Sequence, residues 1–144
     1  FVGYVPENHP LHKNKKLQTN DLESSKILIL EDGHCFRNQM INLCSINLID
    51  YNFSIKSGSF ETMINLADEG LGMTLLPYMH AQSLSEKKQK NLRHFEDPAP
   101  AREISLVYSK SKLKLPIIFA LNKIIDGIIR GTIKFENIKI IAPK

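Results

Sequence analysis

Short apolar runs alternate along this chain with segments of helical periodicity. Residues 1–5, 27–30 and 72–76 are predicted strands, and the unbroken apolar character of 27–30 is typical of a strand covered on both faces. We also predict strands at residues 51–55, where apolar and polar positions alternate, and at 104–108. Strands alternating with helices indicate an α/β fold.

Apolar residues recurring at spacings of three and four predict the main helices. The first covers residues 35–44, and the second runs from about residue 60 to 69. Ser59 is a good N-cap for the second helix, and Gly70 is placed to end it in a left-handed conformation. The last helix extends to about residue 130, with Pro116 suited to its first turn.

The remaining segments are predicted to be short or irregular. We expect a turn around residues 21–22 and a short helix at 79–83 that leads into a lysine-rich loop. The Pro-Ala-Pro sequence at residues 98–100 predicts a linker, because proline lacks the amide proton that regular structure uses. The tail, residues 132–144, alternates too weakly to be assigned to strand or coil.

Composition and charge favour a globular cytoplasmic protein. Apolar residues make up 42% of the chain and charged residues 24%, enough for a core and a solvated surface. The net charge is +4, and the lysine groups at residues 13–16 and 87–93 lack interleaved aromatics, so we interpret them as solvated loops. We predict no membrane span and no signal peptide. Two cysteines are too few for a disulfide scaffold.

Cys35 is the strongest candidate for chemistry, although an arbitrary cysteine is more often structural than reactive. It begins a predicted helix, where free backbone N–H groups and the helix dipole favour a thiolate. Gly33 permits a tight turn just before it, and His34 can donate or accept a proton beside it. Cys44, taken alone, is an ordinary core cysteine.

The spacing of Cys35 and Cys44 constrains what the pair can do. In a continuous helix, nine residues span about 13 Å, and the two thiols point to opposite faces. A disulfide requires Cα atoms within roughly 7 Å of each other. The two cysteines can therefore bond only if the helix unwinds, which suits a switch better than a structural crosslink.

Two sequence stretches resemble the effector domains of LysR-type transcription regulators. The first is the order His9-Pro10-Leu11, Asp21-Leu22 and a buried strand at residues 27–30; the second is the helix, glycine turn and strand at 67–77. The resemblance implies a fold like type 2 periplasmic binding proteins. It implies that residues 1–102 form the second regulatory subdomain and that 103–144 return to the first. The early part of the first subdomain and the winged helix-turn-helix that binds DNA are expected outside this chain.

A narrower resemblance is to the peroxide-sensing members of that family. Residues 31–39, Glu-Asp-Gly-His-Cys-Phe-Arg-Asn-Gln, resemble their motif around the reactive cysteine, and Cys44 falls where they place a resolving cysteine. Residues 59–62 and 102–108 continue the match. Asn38 departs from it, because many members have an acidic residue there.

The narrower resemblance implies site residues and their roles. Cys35 would be the peroxidatic, redox-sensing residue and Cys44 the resolving one. His34 and Arg102 would belong to the peroxide pocket, with the arginine charge stabilising the thiolate and the leaving oxygen. Without the family, Arg102 is interpreted as a surface residue. Arg37, in the motif itself, is expected to face solvent or to pair within its helix.

The resemblance also implies partners for the whole protein. These are hydrogen peroxide, a second or further copies in a dimer or tetramer, promoter DNA through the N-terminal domain, and a glutaredoxin or thioredoxin type of reductant. No cofactor, metal or membrane is implied, and the predicted function is sensing by a reversible Cys35–Cys44 disulfide, without enzymatic turnover. Metal binding through His34, Cys35 and Cys44 receives little weight, since a zinc site needs four ligands at tighter spacing.

Two alternative functions use the same residues differently. A two-cysteine thiol peroxidase would turn over, but it needs a thioredoxin-like fold and motifs that the sequence lacks. A LysR-type regulator that binds a small metabolite in its cleft would leave both cysteines incidental.

Overall fold

A mixed sheet of five strands forms the centre of the molecule. The computed structural model describes residues 1–44, 57–109, 114–133 and 137–142. In sheet order, the strands are β2 (Lys16–Leu17), β5 (Leu92–Phe95), β1 (Val2–Tyr4), β4 (Met73–Leu76) and β3 (Ile27–Leu28). This arrangement, together with the helices packed on it, confirms the predicted α/β class.

Strand β1 pairs antiparallel with both β4 and β5, with Val2 opposite Leu76 and Gly3 opposite Arg93. Strands β3 and β4 run parallel, as do β2 and β5. Every residue of β1, β3 and β4 is buried, as expected for strands covered on both faces. The strands predicted at residues 1–5, 27–30 and 72–76 are therefore confirmed, each over a shorter range.

The part of the chain that the structure describes contains five helices, and the second of them has the predicted residues at both of its ends. They are α1 (Cys35–Cys44), α2 (Phe60–Asp68), α3 (Tyr78–Gln82), α4 (Glu86–Gln89) and α5 (Leu115–Thr132), with 3-10 turns at Pro10–Lys13 and Thr19–Leu22. The Ser59 hydroxyl accepts a hydrogen bond from the Thr62 amide at 3.4 Å, and Gly70 has a φ of +83° at the end of α2. Short helix α4 and strand β5 occupy a region predicted to be loop.

The predicted linker at residues 98–100 is wrong. Ala99–Ala101 form strand β6, which pairs in parallel with β7 (Ile138–Ile140) in a separate two-stranded sheet. At the two ends of this pairing, the Ala99 amide donates to the Asn137 carbonyl at 3.0 Å, and the Ile141 amide donates to the Ala101 carbonyl at 2.8 Å. Pro100 is tolerated between Ala99 and Ala101 because an edge strand forms ladder hydrogen bonds on one side only. Neither of the two bonds requires an amide proton from Pro100.

The strand predicted at residues 104–108 is also absent from the structure. These residues are exposed, with Val107 at 88%, and no strand in the described ranges pairs with them. Alternating apolar residues form a strand only where a neighbouring strand accepts their hydrogen bonds. The strand predicted at 51–55 lies outside the described residues.

The last helix and the tail behave differently from each other. Helix α5 contains no buried residue, although its sequence is largely apolar. The tail, by contrast, docks on α1: Gln39 Nε2 donates to the Ile141 carbonyl at 3.4 Å, and Asn42 Nδ2 donates to the Ala142 carbonyl at 2.8 Å. Within the ranges that the structure describes, no helix is long and apolar enough to cross a membrane.

Candidate redox site

Cys35 is the first residue of α1, and its thiol is free and exposed. Gly33 has a φ of +88°, a conformation that side-chain-bearing residues rarely adopt, and so turns the chain into the helix. His34 caps this end, because its Nδ1 accepts a hydrogen bond from the Phe36 amide at 3.3 Å and its carbonyl accepts one from the Arg37 amide at 2.9 Å. The thiol therefore lies at the N-terminus of the helix, where the helix dipole concentrates positive potential.

Arg102 brings a formal positive charge to the same thiol. It follows strand β6 directly, and its Nη2 lies 3.8 Å from the Cys35 sulfur. The hydrogen bond that the Ile141 amide donates to the Ala101 carbonyl, 2.8 Å long, anchors the backbone next to it. A guanidinium at this distance stabilises negative charge that develops beside it during a reaction.

Phe36 lies beneath this charge and is fully buried. The carbon at the centre of the Arg102 guanidinium, Cζ, lies 5.5 Å from the Phe36 ring centroid, within the range of a cation–π contact. Phe1 stacks on the same ring at 5.0 Å, and Phe60 meets it edge-on at 5.2 Å. An aromatic cluster thus supports the base of the site.

Cys44 occupies the opposite end of α1 in a different environment. It is a free thiol that is only 1% exposed. Burial raises the pKa of the Cys44 thiol to about 12, so at neutral pH it is protonated and a poor nucleophile. Met40 and Leu43 on the same face are buried with it and hold the helix against the core.

The two thiols cannot bond in this conformation. Helix α1 is continuous from Cys35 to Cys44, which separates their Cα atoms by about 13 Å along the axis. Disulfide geometry requires roughly 7 Å or less. A bond between them requires local unfolding of α1.

The structure brings two of the four predicted site residues into contact, Cys35 and Arg102. His34 uses Nδ1 for the cap and meets Phe60 edge-on at 5.6 Å, while Cys44 lies at the far end of the helix. Arg37 pairs with Asp32 just ahead of the helix at 3.1 Å. Among the described residues, no cluster of three or more His, Cys, Asp or Glu side chains could hold a metal ion.

Sequence reasoning missed three residues around this site. Phe36 is predicted only as part of the motif at residues 31–39 and of the apolar face of α1, Gln39 only as part of that motif, and Asn42 has no predicted contact. Their partners lie on distant segments, with about 100 residues between each amide side chain and the tail carbonyl that it contacts. No local pattern signals such contacts.

Comparison with known proteins identifies the relatives of the chain. The family model described as the LysR substrate binding domain matches residues 1–125. The hydrogen peroxide-inducible genes activator of Haemophilus influenzae is 34% identical over 106 residues, which cover 72% of this chain and 35% of that protein. The DNA-binding transcriptional dual regulator OxyR of Escherichia coli is 35% identical over 106 residues, which cover 72% of this chain and 34% of that protein.

A solved structure extends the similarity to the fold. The crystal structure of the reduced form of OxyR superimposes with a TM-score of 0.73 at 27% identity, covering 92% of this chain and 61% of that one. The chain thus spans about a third of the length of these two regulators and less than two thirds of the solved domain.

Proposed function

The chain belongs to the LysR substrate-binding domain family, and on that basis we propose that it is the peroxide-sensing part of a LysR-type transcription regulator similar to OxyR. The observation that carries the proposal is the contact of 3.8 Å between Arg102 Nη2 and the Cys35 sulfur at the start of α1. A free, exposed thiol beside a guanidinium and a helix N-terminus has the environment of a reactive cysteine.

The proposed reaction consumes one peroxide molecule and two thiols. The Cys35 thiolate attacks one peroxide oxygen and the O–O bond breaks, giving a sulfenic acid and a hydroxide that takes up a proton to become water. Arg102 stabilises the charge on the leaving oxygen. Cys44 then loses its proton and attacks the Cys35 sulfur, which expels a second hydroxide that is protonated to water. The two thiols supply the two electrons, and a disulfide results.

Forming that disulfide requires α1 to unwind, and the unwinding is the proposed signal. It removes the helical hydrogen bonds and the burial of Phe36, Met40 and Leu43, which should cost a few kcal/mol. The disulfide offsets this cost and is therefore expected to be more oxidising than a structural one. A glutaredoxin or thioredoxin type of reductant would then reset it in the cytoplasm.

The remodelled helix would alter how regulatory domains pack in a dimer or tetramer. Attached N-terminal domains would then meet promoter DNA differently. The proposed domain division assigns residues 1–102 to the second regulatory subdomain and 103–144 to the first. The apolar helix α5, which has no buried residue, supports this division, because such a helix requires a covering surface. Residues 137–142, in contrast, contact β6 and α1 within the second unit.

Thiol counting on the full-length protein tests the proposal. After a brief, dilute peroxide pulse, the wild type should lose both thiols as an intramolecular disulfide. Cys44→Ser should lose one thiol and stop at sulfenic acid or over-oxidise, while Cys35→Ser should lose none. An unreactive Cys44→Ser together with a reactive Cys35→Ser would reverse the two roles.

Experiments on the same full-length protein distinguish the proposed function from the two alternatives. Steady peroxide consumption with a thiol reductant would indicate a thiol peroxidase. An unchanged transcriptional response in Cys35→Ser would indicate a regulator that responds to a metabolite instead.

A further inference from the structure

The Arg102 guanidinium has few partners within the described residues. Nη2 contacts the Cys35 sulfur at 3.8 Å, and the central carbon lies 5.5 Å from the centroid of the Phe36 ring. Its Nε is buried and has no hydrogen-bond partner there, and none of the salt bridges formed among those residues includes Arg102. The Phe36 ring is therefore a fixed surface in contact with the charge.

The Phe36 ring is itself held firmly. The side chain is fully buried, Phe1 stacks on it with an interplanar angle of 29°, and Phe60 meets it edge-on at 83°. Phe36 also follows Cys35 directly in the first turn of α1. The position of the ring relative to the sulfur is consequently fixed by one turn of helix.

We propose that Phe36 is a positioning residue, whose ring holds the Arg102 guanidinium beside the Cys35 sulfur and so sets the rate of peroxide attack. The inference rests on the proposed function. Its physical basis is the neutrality of the ring: a carboxylate would hold the arginine but cancel its charge, whereas an aromatic quadrupole holds the cation and leaves its field acting on the sulfur. The aromatic character at position 36 thus matters beyond its volume.

Kinetics on the full-length protein in a Cys44→Ser background isolate the first oxidation step. Phe36→Leu should lower the second-order rate constant for peroxide about fivefold, the factor expected for one cation–π contact. Phe36→Tyr keeps the ring and should stay within about twofold of the parent. Phe95→Leu is the matched control, because Phe95 is also a buried phenylalanine but lies on β5. It should leave the rate constant unchanged.

A double-mutant cycle assigns the effect to Arg102. In an Arg102→Ala background, Phe36→Leu should cause no further loss, since the cation that the ring holds is gone. The inference is overturned if Phe36→Leu slows the reaction no more than Phe95→Leu does. It is also overturned if Phe36→Leu lowers the rate constant by the same factor in the Arg102→Ala background as in the presence of Arg102. If Cys35 does not react with peroxide at all in the Cys44→Ser protein that carries no further substitution, the proposed function is refuted, and this inference with it.

An NMR measurement on the unmutated protein does not depend on how core variants fold. Guanidinium protons over a ring face are shifted upfield by its ring current, so the Arg102 side-chain N–H signals, assigned by Arg102→Lys, should lie upfield of those of Arg37. The signals of Arg37 serve as the reference because this side chain pairs with Asp32 and has no recorded ring contact in the described part of the chain. Arg102 signals at the position of Arg37 would contradict the proposal.

Discussion

The two ends of helix α1 present the same functional group in opposite settings. At the first residue, the Cys35 thiol is exposed at the positive end of the helix dipole and 3.8 Å from Arg102 Nη2. At the last residue, Cys44 is 1% exposed, and burial raises its pKa to about 12. One helix thus separates a thiol placed to react from a thiol kept inert.

This difference indicates what the helix contributes to a redox switch. In the proposed mechanism, Cys44 would resolve a sulfenic acid only after it leaves the core, which would require α1 to unfold. We therefore expect the packing of α1 to set the barrier for the proposed second step, and the charge of Arg102 to act on the proposed first step. The two steps should respond to different substitutions.

Weakening the packing of helix α1 between Cys35 and Cys44 should have the largest effect. Met40 is fully buried on α1, and Met40→Ala should lower the free energy of unfolding by about 2–5 kcal/mol. Because the helix then opens more readily, disulfide formation after the sulfenic acid should accelerate. Urea unfolding and rapid-quench mass spectrometry measure the two effects.

The control for Met40→Ala is Met63→Ala. Met63 is also fully buried but belongs to α2, so its loss should destabilise the fold without accelerating the disulfide step to the same degree. Equal acceleration by both variants would mean that global stability, and not α1, sets the barrier.

Removing the charge at the exposed end should have an intermediate effect. Arg102→Ala should slow oxidation of Cys35 about tenfold, the equivalent of one hydrogen bond to a charged group, without preventing it. Stopped-flow kinetics with peroxide on the full-length protein measure the rate constant. Arg37→Ala removes a neighbouring charge that pairs with Asp32 and should change the rate little. A wild-type rate in Arg102→Ala would exclude this residue from the site.

The buried thiol of Cys44 should make the unfolding free energy of the reduced protein depend on pH. The pKa of Cys44 is about 12 in the folded protein, against 9.0 for an ordinary thiol, so folding favours the protonated form. Its contribution to stability is present below the ordinary value and is lost as pH rises toward the raised one. Between about pH 8 and about pH 10, the reduced wild type should lose about 1 kcal/mol more unfolding free energy than Cys44→Ala. Equal losses of unfolding free energy in the wild type and Cys44→Ala, measured by urea titration, would contradict a buried protonated thiol.

Local features of this chain could be predicted from the sequence. Apolar periodicity located α1, and Ser59 and Gly70 marked the ends of α2, because periodicity and capping depend on residues within one or two turns. The buried strands at residues 27–28 and 73–76 were found for the same reason.

Features that depend on distant partners could not be predicted. Ala99–Ala101 form a strand because Ile138–Ile140 supply its hydrogen bonds, whereas residues 104–108 have strand-like composition and no strand partner among the described residues. At the site, the cysteine motif marked Cys35, but the ring beneath Arg102 and the tail carbonyls on α1 are set by tertiary packing.

Hydrogen exchange on reduced and oxidised protein tests the central claim, that the disulfide forms by unwinding α1. In the full-length protein with the disulfide confirmed by mass spectrometry, amides between Cys35 and Cys44 should lose their protection, because the bond cannot form while the helix persists. Amides of β4, Met73–Leu76, should keep theirs and serve as the internal reference. Retained protection along α1 in the oxidised sample would contradict the account.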